Sequence, residues 1–147
     1  MISHLIANIV VAAVQVALVF IVAGLTGYNP GVGVDVYVMA FLIIIVYAGF
    51  SVGAGLITAS VSKNAGAATG MSFIFILPQM MLGTFIPVGN IGRIMPSYYV
   101  TDALSSLLLR GAHVFDPAIL FDLLIITLFS SVVFAIGVFL NKKYGKK

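Results

Sequence analysis

The chain has no cysteine, only two histidines and only 7% charged residues over its 147 positions. Without cysteine there are no disulfides, no thiolate metal sites and no cysteine nucleophile, and the redox compartment stays undetermined. The histidines, His4 and His113, lie far apart in sequence and near segment ends. A metal centre needs several converging ligands, so both read as surface side chains, and no metal or catalytic residue is expected. A soluble domain carries about 25% charge and roughly 45–50% apolar residues; 62% of this chain is hydrophobic. That balance marks an integral membrane protein, with no length left for a separate soluble domain.

Charge is also unevenly spread. Four of the seven basic residues, Lys142, Lys143, Lys146 and Lys147, fall in the final "NKKYGKK". They read as a membrane-flanking anchor, since nucleic-acid binding needs basic residues spread over a folded face. The N-terminal "MISHLIANIV" has neither a basic n-region nor a small-residue cleavage site, so it does not read as a removable signal peptide.

A helical span needs roughly 20 mostly apolar residues to cross about 30 Å of hydrocarbon. Apolar run length places four spans near residues 5–25, 37–61, 69–88 and 118–140 within one transmembrane domain, 1–147, without a convincing internal repeat. The expected fold class is an all-α polytopic membrane protein. "GLTGYNPGVGVD" breaks the chain after the first span with Gly24, Gly27, Pro30 and Gly31. Lysine and arginine favour cytoplasmic loops, so Lys63, between the second and third spans, and the lysine-rich tail both point to the cytoplasm. Parity makes these agree only if residues 89–117 do not cross: four spans, both termini inside. Arg93 and Arg110 then lie outside, accompanied by Asp102 and Asp116.

Several motifs have two readings. "GFSVG", Gly49 to Gly53, matches the G-x-S-x-G of serine hydrolases, but that motif needs a strained strand-to-helix turn and a nearby base. Here it sits within an apolar helix with no histidine in any span, and small-x-x-x-small packing by Gly49 and Gly53 is the better reading. "GAATG", Gly66 to Gly70, repeats the spacing at a helix entrance. "NPGVGVD" contains a G-x-G, yet lacks the third glycine and the preceding strand of a dinucleotide site, and no G-x-x-x-x-G-K-[ST] occurs. Any ATP chemistry therefore belongs to another chain.

Polar side chains within spans are costly and often functional: Asn8 and Gln15 in the first and Gln79 in the third. Asn8 and Gln15 lie seven positions apart, near one helix face. They form either a polar path or interhelical hydrogen bonds worth about 0.6–2 kcal/mol each. Pro78 should kink the third span by removing a backbone hydrogen bond, while Met71, Met80 and Met81 read as adaptable packing.

"FIPVGNIGRIMPSYYVTDAL", Phe85 to Leu104, is too polar and broken for a span and too apolar for a wet loop. A short helix is expected near 97–111, entering the outer leaflet without crossing. Ser97 is the expected N-cap, Asp102 the early acidic residue, and Arg110 with Gly111 the stop. Tyr98 and Tyr99 suit headgroup depth. Pro87, Pro96, Tyr98, Tyr99, Asp102 and Arg110 are the candidate elements of an external gate, with plain packing as the alternative.

Pro78 in mid-span, then "LGTFIP" (Leu82 to Pro87), then "MPSYYVTDALSSLLLRG" (Met95 to Gly111), then a last span with a basic tail, resembles the permease subunits of type-2 ABC transporters. Such permeases commonly have six spans after a cytoplasmic interfacial helix, so the chain reads as beginning at the third span: a truncated permease, a fragment, or a small relative working with a second membrane polypeptide. The resemblance implies the membrane subunit of an ATP-driven exporter, paired with an ABC ATPase subunit that holds the ATP, with a second permease chain (homo- or hetero-dimer) and with lipid, in the cell membrane. No cofactor is expected on this chain. The alternatives are a non-transporting helical membrane scaffold or regulatory subunit, and the serine hydrolase.

Overall fold

The computed structural model describes residues 2–27, 31–85 and 92–144. The described residues form five helices and no strand: α1 (Ile2–Leu25), α2 (Val34–Val61), α3 (Ala65–Met80), α4 (Pro96–Leu108) and α5 (Pro117–Tyr144), with a π-helical turn at Met81–Phe85 directly after α3. Three stretches are long and apolar enough to cross a membrane, Val34–Val61, Ala65–Gly83 and Pro117–Tyr144, and α1 contributes a shorter apolar run, Ile9–Leu25. The protein is thus an all-α polytopic membrane protein.

Local chemistry sets the helix ends. α1 closes where Gly27 takes φ +90°, a conformation open to glycine without steric cost. α2 starts after an extended Gly33 and carries Asp35 in its first turn, where the positive helix end favours a carboxylate. Asn64 caps α3, its side-chain oxygen accepting from the Ala67 N–H at 2.8 Å. The cap starts α3 at Ala65, ahead of the expected 69. Only Ser62, Lys63 and Asn64 separate α2 from α3, so the two form an antiparallel hairpin. Asp116 similarly receives the Ala118 N–H at the start of α5, at 3.0 Å.

Pro78 lies within α3. Having no N–H, it removes one rung of the ladder, and the Met81 N–H beyond it is shared between the carbonyls of Leu77 and Pro78. The helix then opens into the π turn at Met81–Phe85; residues 86–88 of the expected third span lie outside the described residues.

α2 and α5 form the principal helix pair. A Cβ on Gly53 would stand 2.7 Å from both the Cα and the N of Phe134, and one on Gly137 would stand 2.6 Å from the Gly53 carbonyl oxygen. The backbones therefore touch, as small residues permit in membranes. Gly49 faces Ser130, Gly53 faces Phe134, and Leu56 approaches Gly137. Contacts rise in step along both helices, so α2 and α5 run parallel. The Lys63 end of α2 and the Lys142–Lys143 end of α5 accordingly lie on the same side of the bundle. At the opposite end, α4 lies over the α2/α5 pair, its Ala103 and Leu107 fully buried with Ile43 of α2 and Ile119 and Ile126 of α5. α1 packs against α2, with Phe20 edge-on to Tyr37 at 5.4 Å. The outward faces of α1, α3 and α5 remain apolar and exposed, as lipid contact requires.

Candidate functional site at the corner between α3 and α4

The end of α3 and the π turn pack against α4. Pro96 occupies the first position of α4 and Met95 is the N-cap, with no side-chain cap of its own. The first-turn N–H groups of a helix lack intrahelical acceptors. One of these is answered from another helix: the Ser97 N–H donates to Gln79 Oε1 at 3.1 Å. The Ser97 hydroxyl then donates to the Gln79 carbonyl at 2.8 Å. Ser97 is thus not the N-cap expected from the sequence. Pro96 fixes the helix start one residue earlier, which puts Ser97 inside the first turn and aims its buried hydroxyl at α3.

Two glycines make room for this junction. A Cβ on Gly83 would collide with the Ser97 hydroxyl, and one on Gly92 would stand 2.8 Å from the Leu82 carbonyl oxygen. Tyr98 and Tyr99 pack edge-to-face at 5.4 Å, and Tyr99 reaches Phe121 of α5 at 6.4 Å. Asp102 lies in the second turn of α4. It pairs with Arg110 at 3.2 Å, and Arg110 also donates to the Ser106 hydroxyl at 3.3 Å. This pair is exposed, so it contributes about 1 kcal/mol at most. Past it, Gly111 takes φ +65° and ends the helix, with the Ala112 N–H returning to the Ser106 carbonyl.

The remaining candidates are dispersed. Gln15 is exposed on α1, on a helix that packs on α2 and away from the Gln79 junction; the Asn8 side chain lies outside what is described, and Pro87 lies outside the described residues. Among the described residues, no hydrogen bond joins Gln15 to Gln79. Ser51 sits in the middle of continuous α2, without the elbow that a nucleophilic serine needs. Gly66 and Gly70 lie in the opening turns of α3, and a Cβ on Gly70 would meet nothing within 4 Å. Among the described residues, no group of three or more His, Cys, Asp or Glu side chains could hold a metal ion.

Sequence reasoning missed Asp122. It is only 7% exposed, lies in α5 within electrostatic reach of Asp102, and has no hydrogen-bond partner among the described residues. A lone carboxylate within the apolar run 118–140 was the available signal, the same one that singled out Gln79. The bonding of Ser97 to α3 and the close approaches at Gly83 and Gly137 were also missed, because they depend on which helices meet.

A family model described as "ABC-2 type transporter" matches residues 1–109, from α1 through α4. No curated protein and no solved structure matches the chain.

Proposed function

The chain belongs to the ABC-2 type transporter family, and on that premise we propose that it is a permease subunit of an ATP-driven exporter. The observation that carries this reading is the family match across α1 to α4, which includes the Gln79–Ser97 corner. A separate ABC ATPase binds and hydrolyses ATP, since the chain has no phosphate-binding loop of its own. A second permease chain, a copy or a relative, pairs with it, and cargo passes between the two.

In this reading the protein sits in the cell membrane with four spans, α1, α2, α3 with its π turn, and α5. Lys63 and the lysine-rich tail face the cytoplasm, where basic residues are favoured. The parallel course of α2 and α5 supports it, because one sidedness then suits both basic ends. α4 lies on the external face. At 13 residues and 1.5 Å per residue it is about 20 Å long, too short for a hydrocarbon core of about 30 Å. It acts as an external lid, held to α3 by the Gln79–Ser97 hydrogen bonds and to α2 and α5 by Ala103 and Leu107.

The test is purification from native membranes. The chain alone should hydrolyse no ATP and should bring an ABC ATPase with it. Recovery of abundant folded chain without any ATPase, even with a neighbouring membrane subunit co-expressed, would favour the scaffold reading.

A further inference from the structure

Between α2 and α3 lies a cleft of about 280 Å³, at the small end of the roughly 300–1,000 Å³ typical of ligand sites. Tyr47 and Phe50 stack in parallel at 5.7 Å to form one wall, Phe75 and Ile76 form the other, and small Ala54 and Gly55 form the floor. Among the described residues, no charged side chain lines it. Thr58 and Ser72 lie at the end near the α2–α3 loop, and each hydroxyl has already donated to a carbonyl of its own helix, at 2.9 Å. That end is therefore tolerant of apolar matter.

The far end differs. Gln79 lines it, and the orientation of its amide is fixed, because the Ser97 N–H can donate only to oxygen. The amide nitrogen then has no hydrogen-bond partner among the described residues. The Ser51 hydroxyl, also in the lining, has none either. The cleft thus joins the unused Gln79 amide at one end, and the Ser51 hydroxyl along its α2 side, to an aromatic and aliphatic slot. From Ser72 to Gln79 the slot runs about 10 Å along α3, at 1.5 Å per residue.

We propose that this cleft binds an uncharged, single-chain amphiphile whose carbonyl or hydroxyl oxygen accepts from the Gln79 amide while its chain lies between Phe50 and Phe75. A slot this narrow suits a single chain, and among the described residues no lining charge compensates the desolvation of an anionic or zwitterionic head. The site is built within one chain, so it does not depend on the ATPase reading of the protein.

The test uses monoolein carrying a diazirine in its acyl chain, added to the purified full chain in mild detergent, with a diazirine fatty acid and a diazirine lysophosphocholine as the anionic and zwitterionic comparisons. Labelling by the monoolein probe should concentrate on peptides from residues 47–58 and 72–80 and be competed by excess monoolein. The other two probes should label these peptides on the order of tenfold less. Gly55→Leu should abolish the labelling while keeping the fold, because a Cβ there meets nothing within 4 Å and leucine is the better helix former. Gly24→Leu, a comparably open position on α1, should leave it unchanged. If extracted wild-type protein, but not Gly55→Leu, carries neutral single-chain lipid by mass spectrometry, the bilayer is the source. If the purified site is empty yet takes the probe, the source is a cargo amphiphile. Labelling scattered over the lipid-facing helices, or labelling unaltered in folded Gly55→Leu, would overturn the proposal.

Discussion

Gly53→Ala should destabilise the protein, although alanine is the better helix former. The added Cβ would lie 2.7 Å from the Phe134 Cα and N and 2.8 Å from the Val133 carbonyl carbon, whereas ordinary contact begins at 3.4 Å. α5 must therefore retreat by about 0.7 Å, and the obstacles are backbone atoms that have no rotamer to change. Overpacking of this kind costs about 1–3 kcal/mol, against a gain of about 1 kcal/mol from exchanging glycine for alanine within a helix. The net is a loss of up to about 2 kcal/mol, and more for Gly53→Leu. Thermal unfolding in mild detergent, followed by far-UV circular dichroism, reads it directly. Gly55→Ala is the control two residues away: nothing lies within 4 Å of its added Cβ, so it should hold or raise the midpoint. If Gly53→Ala unfolds at or above the wild-type temperature, the backbone contact between α2 and α5 is not as close as described.

Gln79→Leu should lower the same unfolding midpoint, because it strips the acceptor from the Ser97 N–H and an unmet buried donor costs about 1–3 kcal/mol; Gln79→Glu, which keeps an oxygen there, should fare better. Ser130→Ala should be neutral or stabilising, since Ser130 Oγ is buried without a hydrogen-bond partner among the described residues, and a fall of more than about 1 kcal/mol would mean that a partner exists. Arg110→Ala should change stability by about 1 kcal/mol at most, less at high salt, because its partnership with Asp102 is solvent-exposed; a larger loss in unfolding free energy would give the pair a structural role that its exposure does not suggest.

Much of the fold is legible in the sequence. α2 and α5 follow from apolar runs, and the presence of α4 from its local signals, although it starts at Pro96, one position before the expected cap at Ser97. What sequence spacing does not carry is which helix faces which. Gly49 and Gly53 mark a small-residue stripe on α2, but its counterpart on α5, with Ser130 and Gly137 at the matching positions, is recognisable only once the two helices are known to lie parallel. The Gln79–Ser97 junction was hidden for a similar reason. It depends on how the end of α3 packs on α4, and a lone serine after proline reads locally as a cap. Asp122, by contrast, was visible as the single carboxylate in its run, and its burial beneath α4 follows from tertiary packing.

The permease reading depends most on sidedness: the α2–α3 loop toward the ATPase, α4 away from it. Because the chain has no cysteine, Asn64→Cys and His113→Cys each present one thiol to a membrane-impermeant maleimide. In intact cells, position 113 should label and position 64 should not, with the pattern reversed in inverted vesicles. Labelling of position 64 from outside, or of position 113 only from the cytoplasmic side, would contradict the arrangement.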